Sequence, residues 1–188
     1  LNDLAKGLNS KQQIDAVLLD FSKTFDRVPH QRLLLKLQFY GIRGEVLQWI
    51  RAFLTGRTQR VLIEGQSSNT SLVTSGVPQG TVLDPLLFLI FINDLPAMAS
   101  STTRLFADDC LMYHTIQDTS DAEALQADLD KLQQWEQDWL MDFNPSKCEV
   151  ITITNKRSCI PFTYTIHTEI LSKTSCAKYL GINITNNL

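Results

Sequence analysis

The sequence predicts an α+β fold, with a mostly antiparallel sheet backed by helices. Three observations lead there. Short apolar runs of strand length end on acids or turn residues, as in Ile14–Leu19 before Asp20. Other stretches repeat apolar residues every three or four positions, as in Leu125, Leu129, Leu132, Trp135 and Trp139. The two kinds alternate irregularly, without the strict strand–helix succession of a parallel sheet.

The elements follow in order. Residues Asn2 to Gln13 read as the end of a helix and a polar turn, and the run to Asp20 as a buried strand. Phe21 to Arg27 turns the chain. Pro29 can open a helix, because its missing N–H is not needed there. Leu33, Leu34, Leu37 and Tyr40 continue it, and Gly41 is a C-terminal cap. Val46, Leu47, Ile50, Phe53 and Leu54 form one face of a second helix, with Trp49 read as core. Arg57–Gly65 reads as a strand, Gln66–Thr70 as a polar turn, and Ser71–Ser75 as a second strand. Gly76-Val77-Pro78-Gln79-Gly80 breaks the pattern. Pro85–Leu95 is apolar on almost all sides and predicts a buried helix. Arg104–Tyr113 is two apolar runs around Asp108-Asp109, a β-hairpin with the acids at its bend. A long helix follows, capped by Ser120 or Asp121 and ended by Asn144-Pro145. Glu149–Thr154, Pro161–His167 and Lys178–Ile184 close the chain as strands.

Composition bounds the function. A chain of 188 residues, 44% of them hydrophobic, can bury a core and is not disordered. Its formal net charge is -3, which excludes binding nucleic acid through bulk positive charge and leaves local patches. Arg43, Arg51, Arg57 and Arg60 are candidates for phosphate contact, or else a solvated face. The four cysteines have no CxxC spacing and no histidine at zinc-finger spacing, so reduced, buried thiols are expected. The longest strongly apolar run, Leu86–Ile92, falls far short of the roughly 20 residues a bilayer requires. No signal peptide is visible, and the chain opens on Leu1 in mid-pattern, as a piece of a longer protein would. His30, His114 and His167 have no partner at metal or triad spacing.

Asp20, Asp108 and Asp109 carry the chemistry. Each stands at the rim of an apolar strand, where a carboxylate is costly unless a cation neutralises it. Hard oxygen donors of this kind suit Mg²⁺, which binds through one or two carboxylates plus substrate phosphates. Two such ions about 3.5–4 Å apart clamp the attacking and leaving oxygens of a phosphoryl transfer. Taken alone, an Asp-Asp pair reads more readily as a tight turn than as a metal site.

Four motifs decide between these readings. They are Leu19-Asp20-Phe21-Ser22-Lys23-Thr24-Phe25-Asp26, Ser75-Gly76-Val77-Pro78-Gln79-Gly80, Phe106-Ala107-Asp108-Asp109 and Lys178-Tyr179-Leu180-Gly181, in that order. With Ile90–Leu95 and Asn144–Glu149 they resemble the reverse transcriptase palm of non-LTR, LINE-like retrotransposons of the jockey or chicken-repeat type. The likeness runs over about residues 15–184, so residues 1–188 are read as a partial reverse transcriptase domain.

The resemblance implies an RNA-directed DNA polymerase that adds dNTP to a primer 3′-OH with two Mg²⁺, Mn²⁺ being a substitute. Its partners would be an RNA template, a DNA primer and dNTP, with no membrane. Asp20 and Asp108 match the catalytic, metal-binding acids, and Asp109 matches the second acid of the hairpin, which supports the site or joins it as a ligand. The backbone of Phe21, Ser22, Lys23, Thr24 and Phe25 matches the turn that holds the triphosphate. Phe25 matches the aromatic that stacks under the sugar and excludes a 2′-OH, or else is a core ring. Gln79 and Gly80 match the loop that touches nucleotide and template. Lys147 matches a basic residue that assists pyrophosphate departure, and Tyr179, Leu180 and Gly181 match the primer grip. An intracellular site, in cytoplasm or nucleus, is implied as well.

The sequence departs from the family at Asp84, where Gly is usual, at Thr24 for Ala and at Thr81 for Ser. If position 84 needs positive φ, Asp bears a cost there. Fingers before Asp15 and a thumb after Leu188 are expected to lie outside the chain, so the piece alone should polymerise little. The alternative is a decayed, catalytically inactive remnant with at most weak nucleic-acid binding. A metal-dependent nuclease would want more acids or a histidine near the site, and none shows the spacing.

Overall fold

The computed structural model describes residues 2–187. In chain order the elements are α1 (Asn2–Asn9), β1 (Gln13–Leu19), α2 (Thr24–Arg27), α3 (His30–Phe39) and α4 (Gly44–Leu54). Four two-residue strands follow: β2 (Thr58–Gln59), β3 (Leu62–Ile63), β4 (Gln66–Ser67) and β5 (Ser71–Leu72). Next come α5 (Leu83–Ile92), β6 (Thr102–Phe106), β7 (Asp109–Ile116), α6 (Thr119–Trp139) and β8 (Glu149–Thr154). The chain closes with β9 (Thr165–Ile166), β10 (Glu169–Ile170), β11 (Ser172–Thr174), β12 (Cys176–Tyr179) and β13 (Ile182–Thr185). Helix and sheet are mixed and antiparallel pairing dominates, as the sequence predicts.

Two compact units form. The first comprises the chain up to Ser22, Asp94–Asp138 and the chain from Asp142 onward. Its five-stranded sheet has the order β11-β8-β1-β7-β6. β1 is hydrogen-bonded on both sides, antiparallel to β7 and to β8, while β11 joins β8 in parallel. One face of the sheet packs Ile14, Ala16, Leu111, Ile151 and Ile153 against Leu4 and Leu8 of α1 and Ala177, Tyr179 and Ile184. The alternate residues of β1, Asp15, Val17 and Leu19, are buried too, so β1 has no solvent face. Buried Asp15 is satisfied by the Tyr164 hydroxyl, 2.8 Å away, and by the Gln13 side chain.

α6 starts on a reciprocal cap. The Asp118 carboxylate accepts the amide of Ser120 at 2.8 Å, and Asp121 reaches back to the amide of Asp118 at 3.3 Å. The cap is therefore Asp118, and the expected Ser120 and Asp121 lie inside the helix. Leu125, Leu129, Leu132 and Trp135 are buried along one stripe. The helix ends at Trp139, before left-handed Leu140 and ahead of the expected Asn144-Pro145.

The second unit spans Lys23–Asn93 together with Trp139–Met141. α3 packs on α4 and α5 through buried Leu33, Leu34 and Leu37. Its C-terminus is a Schellman turn. Gly41 (φ +90) donates to the Gln38 carbonyl and Ile42 to that of Leu37. Lys36 is only 3% exposed. Its ammonium donates to the Phe91 carbonyl in the last turn of α5 and lies 3.7 Å from the Trp139 ring centroid. Helix dipole and aromatic quadrupole together replace the water that the charge has lost.

Several expectations change. Trp49, read as core, is 58% exposed and stacks on Phe53, because α4 packs chiefly on α3 and buries Leu47, Ile50 and Leu54. α5 buries Leu87, Phe88, Phe91 and Ile92 but leaves Leu86 and Leu89 exposed. The Arg57–Gly65 strand folds back on itself. Glu64 and Gly65 both take positive φ, a tight turn that pairs β3 with β4. His167 and Thr168 do the same at the end of the expected Pro161–His167 strand, and Leu180 and Gly181 inside the last one. Cys110 and Cys148 are buried thiols as expected, but Cys159 and Cys176 are exposed. Asp84 has no positive φ. It sits in the first turn of α5, where an acid suits the helix dipole, so the strain expected there is absent.

Two predictions test this packing. A Cβ on Gly76 would lie 2.8 Å from the Asp26 carbonyl oxygen, and its φ is +86, whereas Gly80 (φ +81) faces open space. Gly76→Ala should cost about 3 kcal/mol and Gly80→Ala about 1 kcal/mol in urea unfolding. Equal costs would contradict the contact. Burial alone would raise the Asp128 carboxyl, but Lys131 and the hydroxyl and amide of Ser101 overcome it and lower its pKa to about 2. A lowered acid stabilises the fold above its unfolded pKa and loses that effect as pH falls. Asp128 should thus contribute about 2 kcal/mol at neutral pH, lost between about pH 4 and pH 2. Asp128→Asn should flatten that part of the acid-unfolding profile.

Candidate active site

The β1–β7 register ends at Leu19 opposite Cys110, so the next residues in line are Asp20 and Asp109. Residues directly opposite on antiparallel strands share a face. The β6–β7 hairpin bends at Ala107-Asp108, one residue earlier than expected. Its last pair is Phe106 with Asp109, and only Ala107 (φ 52) is left-handed. Asp109 is therefore a strand residue, and Asp108 is half-buried at the tip.

Asp20 and Asp109 line one cavity of about 100 Å³ with Lys147, Glu149, Lys178 and Tyr179. Asp108 does not line it, but its charge reaches Asp109. The Asp109 carboxyl is raised above its ordinary pKa, first by burial and then by the charges of Asp108 and Asp20. Asp20 Oδ1 is buried without a hydrogen-bond partner, and the Lys147 ammonium stands 3.6 Å from it. That ion pair is exposed and too long for a hydrogen bond. Among the described residues, no group of three or more His, Cys, Asp or Glu side chains is arranged to hold a metal ion. Two carboxylates, one with an orphaned oxygen and one raised by burial and by the acids beside it, nonetheless suit a divalent cation that completes its shell with water and phosphate.

The backbone of Asp20 is fixed from the other side. Its carbonyl accepts the Asn144 amide at 2.7 Å, and the Ser22 amide donates to the Asp142 carbonyl at 2.8 Å. Phe21 lies between them, buried and stacked on Phe143 at 4.4 Å. The Phe143 amide donates to buried Glu136, whose other oxygen lies 2.7 Å from His167 Nε2. The Ser22 amide, within the Phe21–Phe25 turn read as anion-binding, is thus already engaged. The thiols of Cys110 and Cys148 flank Asp20. Burial raises both, Cys148 to about 11.

Tyr179 is buried, and the tight turn of Leu180 and Gly181 carries the chain from β12 to β13. Lys178 and Glu149 stand inside the Lys178–Gly181 and Asn144–Glu149 motifs, but the sequence reading gives neither a role of its own.

Lys23, Thr24, Phe25, Gln79 and Gly80 belong to the second unit. Lys23 is left-handed (φ 50) and exposed, and Thr24 is buried. The Phe25 ring packs 4.8 Å from Phe88. The Ser75–Gln79 segment is tied to α2. Gly76 donates to the Val28 carbonyl and Val77 to that of Phe25, and His30 Nε2 meets the Gly76 carbonyl at 2.8 Å. Gln79 Nε2 donates to Asp26 at 3.1 Å.

Residues 4–184 match the family described as reverse transcriptase (RNA-dependent DNA polymerase). This chain belongs to the reverse transcriptase family. Among its relatives is the RNA-directed DNA polymerase from mobile element jockey of Drosophila funebris, 33% identical over all of the chain and 21% of that relative. The probable RNA-directed DNA polymerase from transposon X-element of Drosophila melanogaster is 30% identical over 96% of the chain and 20% of the relative. The chain thus spans about a fifth of the length of these relatives. The jockey-type, non-LTR resemblance drawn from the four motifs is matched by these relatives. The fold is shared with apo telomerase from Candida tropicalis truncated from its C-terminal domain, with a TM-score of 0.66 and 14% identity over 98% of this chain and 36% of that one. No helix among the described residues is long and apolar enough to cross a membrane.

Asp109 gives a further prediction. An acid whose folded pKa is raised weighs nothing on stability below its unfolded pKa and its full cost above the folded one. Asp109→Asn should therefore raise the melting temperature in chelator at pH 7 and leave it unchanged near pH 3. Destabilisation at pH 7 would contradict the like-charge repulsion.

Proposed function

We propose that the chain is the palm of an RNA-directed DNA polymerase of a non-LTR retrotransposon. One observation carries it: the β1–β7 register brings Asp20 and Asp109 to one cavity, where Asp20 has a buried, unpartnered oxygen. Asp20 and Asp109 would hold a divalent cation, Mg²⁺ or Mn²⁺, with Asp108 contributing to a second. Such ions supply charge neutralisation at the attacking and leaving oxygens of phosphoryl transfer. In the reaction a primer 3′-OH bonds to the α-phosphorus of a dNTP, the bond to the β-phosphate bridge breaks, and pyrophosphate leaves. The 3′-OH proton passes to water.

The remaining roles are proposed from the family motifs. Tyr179, Leu180 and Gly181 would hold the primer end. Lys147, released from Asp20 by a cation, would meet the departing pyrophosphate. Gln79 and Gly80 would contact nucleotide and template, and Phe25 would select deoxyribose. RNA as template rests on the relatives' printed activity.

A second reading, the inactive remnant, has one observation behind it. Asp84 Oδ1 is buried without a hydrogen-bond partner, a cost that an unselected substitution would leave.

The test is primer extension on poly(rA) by this chain joined to the flanking regions of a jockey relative. Asp20→Asn or Asp109→Asn should reduce extension by at least about a hundredfold. A folded chimera that is inactive until Asp84→Gly restores it would favour the remnant. Extension indifferent to both acids would overturn the site.

A further inference from the structure

The second unit holds a cavity of about 480 Å³ between α2, the start of β2 and the Ser75–Gln79 segment. Lys23, Asp26, Arg57, Thr74, Ser75 and Gln79 line it. We infer that this cavity binds a phosphate group through Arg57, with Lys23 as the second cation. The reading deepens the proposed polymerase function by naming a basic residue outside its four motifs.

Three observations support it. First, Arg57 Nη1 is buried with no hydrogen-bond partner. A guanidinium N–H out of water needs an acceptor, and a phosphate oxygen matches its forked donors. Second, Arg57 is held in place. Its carbonyl accepts the Val73 amide at 2.9 Å, and Thr58 and Gln59 pair with Leu72 and Ser71 beside it. Third, the cavity's acid is already engaged. Asp26 Oδ1 accepts from Gln79, and the Asp26 carbonyl accepts the Ser75 hydroxyl. The cavity therefore has two cations against one occupied carboxylate. Arg60, on the same stretch, is exposed and does not line it.

Phosphate here has two sources, a nucleotide's triphosphate or the backbone of a nucleic-acid strand. The test measures binding of tripolyphosphate by calorimetry and of labelled oligo(rA) by fluorescence anisotropy, both in chelator. Metal is absent, so neither readout depends on Asp20 or Asp109, and the phosphate site can fail or hold independently of them. Arg57→Ala should weaken one ligand at least about tenfold, Arg57→Lys less, and Arg60→Ala no more than the loss of one distant charge. Loss confined to tripolyphosphate assigns a nucleotide. Loss confined to oligo(rA), with a salt dependence shallower by about one ion, assigns a strand. Should Arg57→Ala fail to fold, Arg57→Gln is compared instead. Unchanged binding of both ligands by a folded variant, or equal losses from Arg60→Ala, would overturn the inference.

Discussion

The two-sided pairing of β1 governs the first unit. A strand bonded on both edges and buried on both faces has no freedom of register, because a one-residue slip would turn every side chain to the wrong side. Its antiparallel match to β7 sets Asp20 opposite Asp109. Its match to β8 brings the Asn144–Cys148 segment against the same strand end. The acids are close because the apolar residues before them have only one way to pair.

Around that strand end the polypeptide is constrained from several directions. Asp20 is held by Asn144 and Cys148, Ser22 by Asp142, and Phe143 by Glu136 and through it His167. The Asp20 carboxylate keeps a buried oxygen without a hydrogen-bond partner. A rigid backbone carrying one under-satisfied side chain is the arrangement expected where a ligand is to complete the shell.

Legibility in the sequence followed the physics of each element. β1 and β7 were legible because a buried strand must be apolar, and Asp20, Asp108 and Asp109 because acids beside such runs are expensive. The stripe of α6 and the Gly41 cap were legible for the same local reasons. The tight turns were not. His167, Thr168 and Leu180 adopt positive φ that their side chains disfavour, imposed by pairing partners distant in sequence. Trp49 was misread because a helical stripe shows which face is apolar but not how much neighbour there is to cover it. Asp118 was not legible as the α6 cap because four hydroxyl or acid residues, Asp118 to Asp121, stand together there. The Arg57 cavity has no local signature at all, since Lys23, Arg57 and Gln79 meet only through folding.

The thiols beside Asp20 have a consequence of their own. Cys110 and Cys148 are shielded and held protonated, whereas Cys159 and Cys176 stand in solvent. An alkylating reagent will therefore modify the outer pair at once and the inner pair only when the strands flanking Asp20 part. The protein carries its own clock for that opening, readable by mass alone, at the place where the chemistry is proposed to occur.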